Sequence, residues 1–212
     1  MALSNYTQLQ AAIATWYKRD SALIPDFIAL AESRINAELD SRLSYVESSL
    51  VGTIGSRYIA LPTGYYSNQA LWLTTYGTRT EIIFVTPDQL PVSIGTEGQP
   101  TYYTIEGSNI AFEYENNVAH TYTFRYKKAF DIASTSTNHV LTNYPNLYLF
   151  GALVEAHSYA KDIEEAQGYE MRYQQALSRA QIQEDKNLSR ATTASDPGLI
   201  GTPRSNIFAG GM

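Results

Sequence analysis

The repeat of apolar residues changes period twice along this chain, from a helical spacing to strict alternation and back again, and few folds accommodate that order. The first helical stretch is "TQLQAAIATWYKR", which can start at Thr7 with Gln10 completing a capping box. Leu9, Ile13, Trp16 and Tyr17 then share one face. "SALIPDFIALAESRINAELDSRL" predicts a second helix, with Pro25 near its start, where a missing N–H costs nothing, and a stripe of Ile28, Ala31, Ile35 and Leu39. From about Tyr45 the period becomes two. "SSLVGTIGSRYIALP" reads as a hairpin about Gly55-Ser56, "QALWLTTYGTRTEIIFV" as one about Gly77-Thr78, and "TYYTIEGSNIAFEY" as one about Gly107-Ser108. "TPDQLPVSIGTEGQP" reads as a helical turn and a loop, and "AHTYTFRYKKAF" as a long alternating strand.

Helical spacing returns in "TNYPNLYLFGALVEAHSYAKD", led by Pro145. Asp162 then caps a last helix, with Glu165 as its capping-box partner and Ile163, Ala166, Tyr169, Tyr173, Leu177 and Ala180 as its apolar stripe. The expected fold is α+β: an α-helical bundle built from N- and C-terminal helix pairs, with an inserted antiparallel β domain and an extended C-terminal tail. The expected boundaries are 1–44 and 140–191 for the two helix pairs, 45–139 for the β domain and 192–212 for the tail.

Charge narrows the function classes. The 212 residues carry a formal charge of −6 and no Lys/Arg cluster, so the footprint of a nucleic-acid binder is missing. The chain has no cysteine, which removes disulfides, thiolate chemistry and the commonest structural zinc sites and fits a reducing cytoplasm. "MALSNYTQLQ" holds no readable signal peptide, and no apolar stretch approaches the roughly 20 residues that cross a bilayer. The 17 tyrosines suit both strands and interfaces.

Catalytic signatures are missing too. His120, His139 and His157 stand apart from any second ligand at metal spacing, and Glu155, two residues from His157, points elsewhere on a helix. No G-x-S-x-G elbow occurs, and "GTIGSRY" lacks the lysine and spacing of a phosphate loop. Asp26, Asp40, Asp88 and Glu106 form no distinguished carboxylate pair. The expectation is a protein without catalytic residues, cofactor or metal. Two alternatives stay open: a carbohydrate- or receptor-binding module using Trp72 and the strand tyrosines, and a hydrolase using a carboxylate pair that need not be adjacent in sequence.

The stretch "VLTNYPNLYLFGALVEAHSYAKDIEEAQGYEMRYQQALSRA" resembles the head-to-tail adaptor (connector) proteins of short-tailed, podovirus-like bacteriophages. The matching positions are Val140-Leu141, Thr142-Asn143, Pro145, Lys161-Asp162, and Tyr169 through Tyr173 to Leu177. "SRYIALPTGYY", "GTEGQPTYYTIEGSNIAFEY" and "IPDFIALAESRINAEL", the last with Glu32 and Arg34, match in the same order. The likeness spans roughly residues 5 to 185. One departure is Ile163, where the family often has Pro.

The resemblance implies a structural virion protein, made in the host cytoplasm and placed at the head–tail junction. It implies a homo-oligomeric ring of twelve copies beneath the portal protein, DNA as passing cargo, and a lower face presented to the tail nozzle protein. It also offers a role for "SDPGLIGTPRSNIFAGGM", which is rich in Gly and Pro yet carries large apolar residues. In similar proteins the C-terminal segment embraces the portal, which makes Leu199, Ile200, Pro203, Arg204, Ile207 and Phe208 the expected contacts. Fully extended, residues 191–212 reach roughly 70 Å.

Overall fold

The structure, a computed structural model, describes residues 3–19, 22–75 and 78–189. The expected tail, 192–212, lies outside the described residues. Six helices and nine strands form among them, in the order α1 (Tyr6–Tyr17), α2 (Ile24–Glu38), β1 (Tyr45–Val51), β2 (Tyr58–Ala60), β3 (Tyr65–Thr75), β4 (Thr78–Phe84), β5 (Glu97–Gly98), β6 (Tyr102–Glu106), β7 (Asn109–Phe112), β8 (Glu115–Asn116), β9 (Thr121–Lys128), α3 (Ile132–Thr135), α4 (His139–Asn143), α5 (Pro145–Tyr159) and α6 (Ile163–Ser189).

The expected α-helical bundle with an inserted antiparallel β domain is not what forms. Seven strands join in one large curled sheet of order β1-β9-β3-β4-β6-β7-β2, beside a two-stranded ribbon of β5 and β8. The sheet is mixed, because β4 pairs parallel with β6, and β5 with β8. The expected hairpin about Gly55-Ser56 does not form either. β1 pairs with β9 and β2 with β7, so the two lie at opposite edges of the sheet. Alternation specifies which face of a strand is buried but not which strand lies beside it. The hairpin of β6 and β7 does form, with Gly107 at φ 58 in its turn. β3 and β4 also pair as neighbours.

Buried side chains fill one face of the sheet, where Leu71, Leu73, Ile82, Tyr103, Ile110, Phe112, Tyr122, Phe124 and Tyr126 meet. The two sheet edges come together at one end. Residues 52–57 link them, and this link bonds to β8: the Gly55 N–H donates to the Asn116 carbonyl (2.9 Å) and the Asn116 N–H to the Ser56 carbonyl (3.1 Å).

α5 is apolar on every side, as a central helix must be, and it packs against α1, α2, α4 and α6. Gly151 permits the approach of α2, since a Cβ there would sit 3.0 Å from the Ala31 Cβ. α1 begins two residues earlier than expected. Asn5 caps it by accepting from the Gln8 N–H (2.9 Å), and Gln8 reaches back to the Ser4 N–H (2.9 Å). This does the work expected of Thr7 and Gln10.

Sheet and helices are tied together by buried polar bonds. The Lys127 ammonium, at the end of β9, donates to the Asn36 and Leu39 carbonyls at the end of α2 (3.2 and 2.9 Å). A cation at that end also complements the helix dipole. Asn36 brackets Phe130, accepting from its N–H (2.7 Å) and donating to its carbonyl (3.2 Å). Glu32 accepts from the Ile132 N–H (2.9 Å) and the Tyr148 hydroxyl (2.6 Å).

Candidate partner-binding surface

α5 and α6 run antiparallel, and the residues that carry the sequence pattern are spread along them in three settings. Tyr173 and Leu177 are core residues. The Tyr173 hydroxyl donates to Glu38 (2.8 Å), and the Arg34 guanidinium lies 4.2 Å from its ring centroid. Arg34 in turn grips Glu170 through two bonds (2.7 and 2.5 Å) and Glu38 through a third (3.0 Å). This holds the Glu170 carboxyl below its ordinary pKa. Near the α5–α6 turn, the Asp162 carboxylate lies 3.5 Å from both Arg19 and the buried His157, whose ring stacks on Tyr169.

Asn143 and Pro145 lie elsewhere, on the rim of a cavity of ≈ 200 Å³ where the start of α5 meets the middle of α6. Arg172, Gln175 and Arg179 form the α6 wall, and Asn146 stands beside Pro145. Arg172 lies over the Tyr169 ring, 5.4 Å from its centroid. Arg172, Arg179, Asn143, Asn146 and Gln175 make no hydrogen bond or ion pair among the described residues. Every one of these side chains can donate a hydrogen bond, and the two arginines cannot accept one.

Of the remaining expected positions, those among the described residues form no common centre. Leu199, Ile200, Pro203, Arg204, Ile207 and Phe208 lie outside the described residues. Tyr103, Tyr122 and Tyr126 point into the core, Trp72 lies under Arg79, 5.4 Å from its ring centroid, and Tyr66 is exposed on β3. Asp26 is exposed at the start of α2, Asp40 accepts from Tyr45, Asp88 lies in a 3-10 turn, and Glu106 pairs with Arg57. Among the described residues no group of three or more His, Cys, Asp or Glu could hold a metal ion, and no helix is long and apolar enough to cross a membrane.

A model of the family described as SU10 adaptor protein matches residues 4–196. The chain belongs to that family. No curated protein matches the chain. The match to the SU10 adaptor family takes in every residue of the cavity and stops short of Leu199.

Sequence reasoning passed over Arg172, Arg179, Asn146 and Gln175 in this SU10 adaptor family member. One signal was present: Arg172 and Arg179 stand seven apart, two turns along one helical face, away from the apolar stripe. Only the antiparallel return of α5 sets Asn143 and Asn146 opposite them.

Behind the cavity, Tyr144 donates to the buried Glu184 (2.8 Å), and its own pKa is pushed up to about 12 by burial and by that carboxylate. The Ser41 hydroxyl donates to the other Glu184 oxygen (3.0 Å), so Ser41 Oγ accepts from His139 Nε2 (3.0 Å). Burial depresses the His139 pKa, with Glu184 opposing. A histidine with a folded pKa below its unfolded value of 6.5 adds stability above that value, and the contribution is lost as pH falls through the folded pKa. Glu32 has the opposite sign, because burial raises its pKa. Its contribution is present in acid and lost as pH rises through the folded pKa. Urea midpoints should therefore fall less steeply between neutral and mildly acidic pH in His139→Asn than in the parent chain. Equal slopes would exclude His139 as a source.

Proposed function

We propose that this protein is the head-to-tail adaptor of a short-tailed bacteriophage, assembling as a ring of twelve beneath the portal protein. In this reading the ring extends the DNA channel and offers its lower face to the tail nozzle protein. The observation that carries the reading is the family match over residues 4–196. Residues 192–212 dock on the portal through Leu199, Ile200, Pro203, Arg204, Ile207 and Phe208.

Charge is consistent with this role. Twelve copies at −6 each give a ring of about −72, and DNA within a Debye length of roughly 8 Å would meet no adhesive surface. Ring geometry also compensates for a weak single contact. Once one copy docks, its neighbours act at high effective concentration, and avidity rises by orders of magnitude.

The test mixes purified chain with portal rings and counts bound copies by electron microscopy. The full chain should decorate the portal. A chain ending at residue 191 should keep its circular dichroism spectrum and melting curve but fail to attach. Normal docking of the truncated chain would reject the assignment of the tail, and no docking by the full chain would reject the adaptor reading.

A further inference from the structure

We propose that the cavity between the start of α5 and the middle of α6 is a carboxylate-binding site, occupied by Glu164 and Glu165 at the start of α6 in a second copy of this chain. The cavity brings together two guanidinium groups and three side-chain amides, with no carboxylate among its lining residues. Arg172 and Arg179 are exposed along its α6 wall, Gln175 lies between them, and Asn143 and Asn146 face them across the opening. Paired guanidinium groups with amide donors suit a carboxylate, which accepts several hydrogen bonds at once.

Among the described residues no carboxylate of the same molecule fills this role. Glu170 is held by Arg34 and Gln174, and Glu184 by Ser41 and Tyr144. The acid nearest along the same face of α6, Glu165, stands two turns before Arg172, about 10 Å away at 1.5 Å per residue. Neither Glu164 nor Glu165 makes an ion pair or hydrogen bond among the described residues, and both are exposed. One helical hairpin therefore carries unpaired anions at its turn and unpaired cations toward its open end.

Two such hairpins offset along their length satisfy both groups. The contact is heterologous, one end of each molecule meeting the other end of the next, which is the kind of contact that generates rings. A protein carboxylate suits the site better than a DNA phosphate. The cavity holds one or two side chains rather than a backbone track, and the chain as a whole is acidic.

The test needs neither portal nor phage. The probe is an acetylated and amidated peptide of residues 161–168, KDIEEAQG, titrated into the isotope-labelled full chain and followed by NMR. Millimolar binding is expected, with shifts at the Arg172 and Arg179 Nε–H groups and the Gln175 and Asn146 side-chain amides. Arg172→Gln with Arg179→Gln should weaken binding roughly tenfold or more, whereas Arg172→Lys with Arg179→Lys should keep part of it. A peptide with glutamine at both glutamate positions should leave the spectrum unchanged. Three results would each overturn the proposal: no shifts from the native peptide, equal shifts from the glutamine peptide, or stronger shifts at the same groups from a short single-stranded oligonucleotide.

Discussion

Tyr173→Ala is expected to destabilise the protein by about 3–5 kcal/mol, the range for removing a large buried ring from a packed core. Tyr173 is fully buried where α2, α5 and α6 meet. Its ring lies close enough to Gly151 that a Cβ there would be 3.4 Å away, and the other side carries the Arg34 guanidinium. Alanine would open a cavity at the joint and remove the surface on which Arg34 rests. Tyr173→Phe separates the two contributions, since it keeps the ring and loses only the bond to Glu38. Because Glu38 keeps Arg34 as a partner, that change should cost about 1 kcal/mol. Urea denaturation of the three chains measures both values, and an alanine variant within 1 kcal/mol of the parent, roughly the cost of one hydrogen bond, would contradict the packing argument.

Asn116→Ala should cost about 1.5–4.5 kcal/mol, for a different reason. Asn116 is fully buried at the end of the sheet where both edges meet. Its amide donates to the Ser56 carbonyl (2.6 Å), and its carbonyl oxygen accepts from the Tyr122 hydroxyl, itself fully buried. Alanine leaves the buried Tyr122 hydroxyl without a partner, which costs about 1–3 kcal/mol, and removes one of two bonds to the Ser56 carbonyl, about 0.5–1.5 kcal/mol, because the Asn116 backbone N–H still donates to it. A double-mutant cycle with Tyr122→Phe tests the mechanism. Removing the hydroxyl as well as its acceptor should recover part of the loss, giving a coupling of about 0.5–3 kcal/mol. Strict additivity would mean that the bond contributes nothing. Gly52 belongs to the same arrangement, because a Cβ there would come within 2.9 Å of the Asn116 side chain. Gly52→Ala should therefore disturb the same two bonds.

Both predictions concern places where residues distant in sequence meet, and the two kinds of information divide there. Periodicity alone located α2, α5, α6 and the alternating strand β9, because a helix or strand declares its buried face in its own residues. It found Ile28, Ala31 and Ile35 on one side of α2 and read β9 as an alternating strand, whose buried face the structure shows to be Tyr122, Phe124 and Tyr126. The ordered motifs also pointed to the adaptor family before any fold was known. Periodicity also paired β6 with β7 and β3 with β4 across short turns, but pairing between strands farther apart was beyond its reach. β1 and β2 look like one hairpin yet occupy opposite edges of the sheet, since a strand's alternation is satisfied by any neighbour that covers the same face. The polar ties were equally illegible. The sequence marked Glu32 and Arg34 only as matches to the family pattern and singled out neither Asn36 nor Lys127; tertiary contacts placed Tyr148, Glu170, Phe130 and the end of α2 against them. The cavity at α5 and α6 follows the same rule: a sequence can supply two arginines seven residues apart, but only a folded chain can bring a second helix to face them.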